Sequence, residues 1–339
     1  MKRRDLLLAS LALASCAPTL QHALTPGPQF AGPRLEPDAF VSFDGARLGL
    51  SAWPTAGEPW AVIAGLHGMD DYANAFHLAA PVWAAQGIAT YAFDQRGFGR
   101  SPQRGVWAGA DLMAQDLRTF CALLRRRHPK ALLAIVGESM GGAVAVAALA
   151  SDRPPDADRC VLLAPAVWGW SSQPLAYQVA LRLAELVAPH KVFNPPSFVT
   201  SHITASDNIP ELIAMGKDPL MIWGARTDTL YGLVDLMQTA WQDTGRIRIP
   251  TAYLCGAKDQ IIPLKPSFQA AARLPVGDRT ALYADGYHLL LRDLQRDKVI
   301  ADVAAFIRDP AAAWPSGARP MPVAGLGRGA KPTHARGGR

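Results

Sequence analysis

Cysteine and charged residues are both scarce in this chain. Its 339 residues include 4 cysteines, and 18% of the residues are charged, whereas half are apolar. Cys121, Cys160 and Cys255 are widely separated, each in an apolar run, and there is no CxxC pair or His/Cys cluster. This pattern argues against a disulfide framework and against a metal site. We expect a globular protein with three buried free thiols, no metal and no cofactor.

An excess of positive charge is absent from the body of the chain. The formal net charge is +6, but residues 1–15 carry +2 and residues 309–339 carry +4, which leaves zero for residues 16–308. A balanced body has no basic surface of the kind that binds a phosphate backbone. The charge distribution therefore argues against a nucleic-acid partner.

A stretch of about 20 apolar residues, the length that spans a bilayer, is also absent. The N-terminal segment MKRRDLLLASLALASC has a basic start, a short apolar run and small residues at its end, which predicts an export signal over residues 1–15. Leu13 to Cys16 are similar to the lipobox of bacterial lipoproteins, in which the cysteine is lipidated; the alternative is an ordinary secretory signal with a chance cysteine. Arg3 and Arg4 fit either a Sec or a twin-arginine signal. We expect an exported lipoprotein, anchored through Cys16 on the periplasmic side of the bacterial cell envelope.

Both flanks of the body are rich in proline and glycine. Residues 16–37 predict an extended linker that holds the body away from a membrane. Residues 309–339 predict a disordered basic tail. The segment GLGRGAK in that tail is not a phosphate loop, because no strand pattern precedes it and no Ser or Thr follows its lysine.

Strand and helix patterns alternate between residues 38 and 308. A hairpin with a turn at Asp44-Gly45 comes first, and apolar runs such as WAVIAGLHG and ALLAIVG are then followed by helical patterns. Continuous apolar runs of this kind indicate strands that are covered on both faces. The alternation predicts an α/β fold with a mostly parallel, doubly wound sheet of eight strands.

The alternation stops at about residue 166 and resumes at about residue 246. The intervening segment has helical patterns with Pro, Trp and Met, and it contains no convincing strand run. A helical insertion in such a sheet covers the carboxyl ends of the strands, where these sheets bind ligands. We therefore interpret residues 166–246 as a lid.

The segment GESMG at residues 137–141 lies between a strand pattern and a helix pattern. A serine in such a strand-to-helix turn has strained backbone geometry and a protruding hydroxyl, and Gly137 and Gly141 avoid a side-chain collision there. The helix behind Ser139 also directs its positive end at the site. A five-residue match alone is compatible with a helix cap, but this position predicts a nucleophile.

A serine nucleophile requires a base, and the base requires an acid that orients it. On this kind of sheet the three follow in the order Ser, acid, His. Asp259 follows the strand pattern TAYLCG and His288 follows the strand pattern TALYAD, so both reach the sheet edge that carries Ser139. We predict Asp259 as the acid and His288 as the base. Asp285 is too close to His288 along the chain to reach its far ring nitrogen, and Asp293 fits the cap of the last helix.

The remaining candidates come from the elbow and from LHGMDD, the loop after the first buried strand. The tetrahedral intermediate of acyl transfer needs two backbone donors, which we assign to the amides of Met69 and Met140. The methionine side chains fit ordinary pocket packing as well. His67 is interpreted as a structural residue, because the base must come from the last loop. Asp70 and Asp71 are expected to cap the next helix, with a role as catalytic carboxylates as the alternative.

Taken together, these segments resemble the monoacylglycerol lipase and lysophospholipase family of the α/β-hydrolase fold. The matching segments are LHGMDD, FDQRGFGRS, GESMGG, GAKDQIIP and DGYHLLLRD, spread from about residue 40 to residue 308. The resemblance implies the triad Ser139, Asp259 and His288, the oxyanion amides of Met69 and Met140, and a structural role for FDQRGFGRS. The animal members carry a small residue and a Gly-Glu pair where this chain has Met-Asp-Asp after His-Gly.

The resulting prediction is a serine hydrolase that cleaves carboxylic esters, of monoacylglycerol or lysophospholipid type, through an acyl-enzyme. A peptidase or thioesterase with the same triad, and a binding lipoprotein that has lost activity, are the alternatives. The lid residues Trp168, Trp170, Trp223 and Trp241 either contact an acyl chain or pack the lid onto the body. We expect a monomer whose partners are a lipid ester and a membrane.

Overall fold

A computed structural model of the chain describes residues 19–194 and 203–323. The predicted signal peptide and Cys16 therefore lie outside the described residues. Within them, a nine-stranded sheet forms the centre of the molecule. Its strands, numbered in chain order, are β1 Arg34–Leu35, β2 Ala39–Val41, β3 Arg47–Trp53, β4 Ala61–Leu66, β5 Ile88–Phe93, β6 Leu132–Glu138, β7 Arg159–Leu163, β10 Thr251–Gly256 and β11 Arg279–Tyr283.

The sheet has the strand order β1-β2-β3-β5-β4-β6-β7-β10-β11. The first three pairs in this order are antiparallel, and every later pair is parallel. The predicted α/β fold with a mostly parallel sheet is thus confirmed. The described sheet has one strand more than the eight expected, because the two-residue strand β1 extends the antiparallel edge.

The sheet is buried on both faces by two layers of helices. Along β4, Val62, Ala64 and Leu66 belong to one hydrophobic cluster, whereas Ala61 and Ile63 belong to the other, because successive side chains of a strand point to opposite faces. No helix in the described part of the chain is long and apolar enough to cross a bilayer. The helices whose side chains join the first cluster are α2 Ala110–Arg127, α3 Met140–Leu149, α6 Thr227–Asp243 and α7 Leu264–Ala271, and those of the second cluster are α1 Ala80–Ala85 and α8 Arg296–Arg308.

The described part of the lid contains three helices and a short ribbon. The helices are α4 Leu175–Val187, α5 Ile209–Lys217 and α6 Thr227–Asp243. The ribbon pairs β8 Val192–Phe193 with β9 Ala225–Arg226, and the sequence pattern did not predict it because each strand has two residues. Helix α6 packs against α3 and buries eight residues, whereas α4 and α5 bury none.

The described part of the predicted N-terminal linker is packed against the body. Gln21 is 4% exposed and its N–H donates to the carbonyl of Trp107 at 2.9 Å. Thr19 contacts the lid: its N–H donates to Asp228 Oδ2 at 3.1 Å, and its Oγ1 lies 2.9 Å from His190 Nε2. The prediction of an extended linker is therefore wrong from Thr19 onward. Hydrogen bonds fix this segment, and they leave no periodic pattern in the sequence.

Residues 309–323, the first part of the predicted disordered tail, pack on the edge strand β11. Trp314 is 9% exposed, and its Nε1–H donates to Thr280 O at 3.2 Å. Arg319 forms an antiparallel bridge with Leu282. The prediction of disorder is wrong for this part, because two buried apolar side chains, Trp314 and Met321, and a backbone bridge attach it despite its proline and glycine content. Residues 324–339 lie outside the described part.

Candidate active site

Ser139 occupies the sharp turn between β6 and α3. Its backbone has φ 52° and ψ −117°, in a region that costs a non-glycine residue about 1–3 kcal/mol. The turn is held by the Ser139 N–H, which donates to Leu163 O at 2.9 Å, and by its carbonyl, which accepts from the Ala166 N–H at 2.9 Å. The side chain makes no capping hydrogen bond. Helix capping therefore does not explain this serine.

Gly137 and Gly141 allow backbone segments around the elbow to touch. A Cβ atom at Gly141 would lie 2.3 Å from Leu66 O, and a Cβ atom at Gly137 would lie 2.6 Å from Gly141 O. Neither contact could be relieved by rotating a side chain, because both involve backbone atoms. The close approach therefore requires glycine at both positions, as the sequence pattern predicts.

Asp259 and His288 form a buried pair on the loops that follow β10 and β11. His288 Nδ1 lies 2.8 Å from Asp259 Oδ2, and Asp259 Oδ1 accepts from the amides of Ile261 at 2.8 Å and Ile262 at 3.0 Å. Burial alone would raise the pKa of Asp259, but His288 and the two amides together lower it. The ionised carboxylate accepts a hydrogen bond from Nδ1–H, which leaves the lone pair of His288 Nε2 available.

The pKa of His288 is raised although the ring is buried. Burial would lower this pKa, but attraction to Asp259, with a smaller contribution from Glu138, outweighs it. Ser139 and His288 line one cavity. No described residue forms a hydrogen bond with the Ser139 hydroxyl, so the two groups share the cavity without a direct bond. Nucleophile and base are often loosely paired in free enzymes.

The two aspartates nearest to the histidine loop have other partners. Asp285 pairs with Lys258 at the surface, at 2.9 Å. Asp293 Oδ2 accepts from the Tyr287 N–H at 2.8 Å and so shapes the loop that carries the histidine. The expectation that Asp293 caps the last helix is wrong, since α8 has no side-chain cap.

The loop after β4 approaches the elbow. A Cβ atom at Gly68 would lie 3.3 Å from Ser139 Cβ, so this loop lies beside the serine. Met69 follows Gly68, and Met140 follows Ser139. No described residue accepts a hydrogen bond from either methionine amide, so both predicted oxyanion donors are available. Both methionine side chains also pack in the core.

His67 is a structural residue that holds this loop in place. It is fully buried, its Nε2 accepts the Gln95 N–H at 2.8 Å, and its Nδ1 lies 2.7 Å from Gly68 O. Burial lowers the pKa of His67, so the ring is neutral and Nδ1 carries the proton. Gln95 belongs to the segment FDQRGFGRS, which therefore positions the loop after β4.

Asp70 and Asp71 do not cap the following helix, so that prediction is wrong. In the helical turn Ala73–Phe76, the first amide N–H donates instead to Asp94 Oδ1 at 2.9 Å. Asp71 Oδ2 instead lies 2.7 Å from Arg292 Nη1. Asp70 lines the cavity and has φ 64°.

Arg292 is the member of the site that the sequence analysis missed. It is 2% exposed and binds Asp71 as well as Glu138, whose Oε1 lies 2.5 Å from Arg292 Nη2. Burial would lower the pKa of Arg292, but the two carboxylates raise it, so the guanidinium is charged. One side chain thus links the loop after β4, the elbow and the histidine loop. The available signal was HLLLRD, in which an arginine within an apolar run requires a buried partner.

A cavity of about 520 Å³ opens beside the elbow. Among the four lid tryptophans, Trp223 lines the cavity and is 59% exposed. Trp168 and Trp241 pack against the core, and Trp170 donates its Nε1–H to Asp235 at 2.6 Å. Trp168 and Trp241 thus have the predicted packing role, whereas contact of a tryptophan with an acyl chain stays a prediction. Further apolar lining from the lid comes from Met215, Met221, Ile222, Leu230, Leu233 and Met237.

The three cysteines within the described residues are buried free thiols, as predicted. Burial raises the pKa of the Cys121, Cys160 and Cys255 thiols, so none is a thiolate nucleophile. The part of the chain that the structure describes contains no group of three or more His, Cys, Asp or Glu side chains that could hold a metal ion.

Known proteins resemble this chain in both sequence and fold. Residues 57–295 match the family described as serine aminopeptidase, S33. The chain is 28% identical over 275 residues to a monoacylglycerol lipase of Mycolicibacterium smegmatis, a match that covers 79% of this chain and 95% of the relative. It is 24% identical over 280 residues to the human monoglyceride lipase, covering 79% of this chain and 90% of the relative.

Two solved structures illustrate the shared architecture. A monoacylglycerol lipase of Paleococcus ferrophilus superposes with a TM-score of 0.63 at 20% identity, covering 77% of this chain and 98% of the other. A soluble variant of the Saccharomyces cerevisiae monoglyceride lipase gives 0.67 at 18% identity, covering 84% and 98%. At these identities the likeness shows the α/β-hydrolase fold. The family match covers most of the length of the chain. This match and the shared fold show that the chain belongs to the serine aminopeptidase S33 family and is a serine hydrolase of the α/β-hydrolase fold.

Proposed function

We propose that this protein hydrolyses carboxylic esters of the monoacylglycerol type through a Ser139–His288–Asp259 triad. The observation that carries the proposal is the buried Asp259–His288 pair, at 2.8 Å, on the same cavity as a serine held at φ 52°. The names of the relatives, which are monoacylglycerol lipases at 24–28% identity, support the ester class.

In the proposed mechanism, His288 Nε2 takes the proton of the Ser139 hydroxyl while Oγ attacks the ester carbonyl carbon. The negative charge that develops on the carbonyl oxygen is stabilised by the amides of Met69 and Met140. The imidazolium then gives its proton to the departing alcohol oxygen, which leaves an acyl-enzyme. Water, deprotonated by His288, attacks the acyl carbon and releases the carboxylic acid and the free serine.

Asp259 has a positioning and electrostatic role in this mechanism. Its carboxylate holds Nδ1–H, so that Nε2 is the basic nitrogen, and it stabilises the imidazolium that forms during each half-reaction. His288, with a smaller contribution from the two backbone amides at Oδ1, lowers the pKa of Asp259 and so favours its ionised form.

The apolar lining contributed by the lid supports a substrate with an acyl chain. The volume of about 520 Å³ is within the range of small-molecule sites, about 300–1,000 Å³. Trp223 and the methionines would contact that chain, because flexible methionines adapt to a range of apolar shapes.

Replacement of the nucleophile tests the proposal. We expect Ser139→Ala to lower kcat for a p-nitrophenyl ester by at least about 10⁴-fold and to abolish labelling by a fluorophosphonate probe, with the melting temperature unchanged. Ser171→Ala, at an exposed serine of the lid, is the matched control. It should retain both ester turnover and labelling by the probe. Normal turnover by Ser139→Ala would refute the triad.

A peptidase is the second candidate, because the family that matches residues 57–295 is described as serine aminopeptidase. The same triad would cleave an aminoacyl amide. Parallel assays with a monoacylglycerol and an aminoacyl p-nitroanilide distinguish the two. Faster turnover of the anilide, abolished in Ser139→Ala, would assign the peptidase activity.

We also propose that the enzyme is an exported monomer anchored through lipidated Cys16. The packing of Thr19 against the lid supports a membrane-proximal orientation, since α4 exposes the large apolar residues Leu175, Leu186 and Val187 at 72%, 70% and 71%. Mass spectrometry of protein extracted from membranes should show that residues 1–15 have been removed and that Cys16 is lipidated. An unmodified cysteine in the membrane fraction would contradict the anchor.

A further inference from the structure

Asp70 is the carboxylate of the cavity that the proposed mechanism does not use. The cavity lining includes Asp70, Asp71 and Glu138. The latter two are both bound to Arg292, whereas the carboxylate of Asp70 has no hydrogen-bond partner or ion pair among the described residues. A partly buried carboxylate without a partner is costly to keep ionised, so its presence in an otherwise apolar cavity requires an explanation.

The backbone fixes the position of Asp70 next to the proposed oxyanion site. Asp70 follows Met69 directly, and its φ of 64° lies in the left-handed region that disfavours residues with a Cβ atom. Its carbonyl accepts from the Ile222 N–H of the lid at 2.9 Å. The backbone of Asp70 therefore connects the loop after β4 to the lid. An aspartate there has a conformational cost that glycine would avoid.

The charges around the cavity favour an uncharged ligand. Arg292 is neutralised by Asp71 and Glu138, which together exceed it by one negative charge. Among the described residues, those that line the cavity include no lysine or arginine. Burial, with a smaller contribution from Asp71, raises the pKa of Asp70 to about 7. Near neutral pH its carboxyl group is thus able to accept or to donate a hydrogen bond.

We propose that Asp70 determines alcohol-group specificity: it binds a hydroxyl group on the alcohol portion of the ester and disfavours esters whose alcohol carries a phosphate. The inference rests on the proposed ester hydrolase function and deepens it. The substrate class would be acyl esters of uncharged polyols. Lysophospholipids, which place a phosphate where the polyol has a hydroxyl, would be poor substrates because the phosphate would lie in a negative, low-dielectric cavity with no cation to pair it.

Three esters with one acyl chain test this assignment: a 1-monoacylglycerol, a lysophosphatidic acid and a methyl ester. In the purified full-length enzyme we expect the monoacylglycerol to have the highest kcat/KM and the phosphate ester the lowest. Asp70→Asn should raise kcat/KM for the phosphate ester about tenfold and should lower that for the monoacylglycerol several-fold. The methyl ester, which has neither hydroxyl nor phosphate, should change less than about twofold.

Two further variants protect the test against trivial effects. Asp70→Gly removes the carboxylate while suiting the left-handed backbone, so it should shift the preference in the same direction as Asp70→Asn with no loss in melting temperature. Asp38→Asn removes one negative charge at a side chain that is 83% exposed and does not line the cavity. It should leave the ratios of kcat/KM among the three esters unchanged.

The possible outcomes separate the two proposals. An unchanged ratio of monoacylglycerol to phosphate ester in both Asp70 variants would overturn the role of Asp70, while turnover of the methyl ester would still support the ester hydrolase. No turnover of any ester by the unmodified enzyme would instead overturn the proposed function itself.

Discussion

The floor of the cavity and the lid above it are stabilised in different ways. We define the floor as the loops after β4, β6, β10 and β11. Two sets of its charged residues are buried and paired: Asp259 with His288, and Arg292 with two carboxylates. In the lid, helix α4 buries no residue, and its Leu175 is 72% exposed. A change in the floor therefore disturbs several partners, whereas a change on α4 disturbs few.

The contrast assigns different tasks to the two regions. In the proposed mechanism the reacting groups must be held in a precise geometry, and the 2.8 Å contact between buried Asp259 and His288 would orient the base. Substrate capture needs an apolar and adaptable surface, which the lid provides. Mutations should therefore separate into floor variants that lose rate or stability and lid variants that alter substrate preference.

The largest expected effect in the floor is on rate. Asp259→Asn should lower kcat for a soluble ester by about 10⁴-fold, because the amide stabilises the wrong tautomer of His288 and cannot balance the imidazolium. Stopped-flow or steady-state hydrolysis of a p-nitrophenyl ester measures this change in kcat. Asp285→Asn, on the loop that carries His288 but paired with exposed Lys258, is the control. Comparable losses in the two variants would remove the distinction between the buried pair and its surroundings.

The next effect is on stability. Arg292→Met should lower the free energy of unfolding by about 3–5 kcal/mol, because Asp71 and Glu138 would be left as buried carboxylates without a cation. Urea unfolding measures the change. Arg246→Met breaks an exposed pair with Asp243 and should cost less than about 1 kcal/mol. Equal losses in the free energy of unfolding would mean that burial does not determine how much these ion pairs contribute to stability.

The dependence on pH sharpens the same comparison. Because the pKa of His288 lies above its ordinary value of about 6.5, kcat/KM for a neutral ester should fall about tenfold per unit below that raised pKa and level off above it. Asp70→Asn is the proper background, since Asp70 also titrates near 7. A midpoint below about 6.5 would contradict the raised pKa.

The same shifts predict the sign of the effect of pH on stability. The raised pKa of His288 means that its stabilisation is complete below about pH 6.5 and is lost as the pH rises through the folded-state value. The lowered pKa of Asp259 acts oppositely: its stabilisation is present above about pH 3.9 and is lost as the pH falls through the folded-state value. In Asp259→Asn both dependences should disappear from unfolding curves measured across pH.

The smallest expected effect on stability is in the lid. Leu186→Ser, on a side chain that is 70% exposed, should change the free energy of unfolding by no more than about 0.5 kcal/mol. Its turnover of a soluble short-chain ester should be unchanged, while turnover of a monoacylglycerol in phosphatidylcholine vesicles should fall severalfold. Leu236→Ser, on the buried helix α6, should destabilise the fold instead. Similar stabilities of the two variants would contradict the division within the lid.

The sequence predicted the parts of the floor that follow from chain order. Ser139, Asp259 and His288 each follow a recognisable strand pattern, and parallel strands bring their carboxyl ends to one edge. Their partners were harder to predict. Arg292 contacts Asp71 and Glu138 across more than 150 positions of sequence, and no local pattern encodes a contact of that range.

The errors have a common physical origin. Asp94 replaces Asp70 and Asp71 as the cap of a helical turn because the fold brings a distant carboxylate closer to the free amide. A few hydrogen bonds and buried side chains, among them Gln21 and Trp314, attach the two flanks, and the overall composition of these segments does not reveal them. The ribbon β8–β9 has two residues in each strand, too few for an alternating pattern.

The contact between Thr19 and the lid gives a consequence for how the enzyme would meet its substrate. If Cys16 carries the lipid, only two residues separate it from Thr19, which is fixed beside Asp228, and these three residue steps span about 10 Å at full extension. So short a connection would restrict rotation of the folded body relative to the membrane. The mouth of the cavity would be kept facing the bilayer, and the enzyme would draw its substrates sideways out of the leaflet to which it is attached.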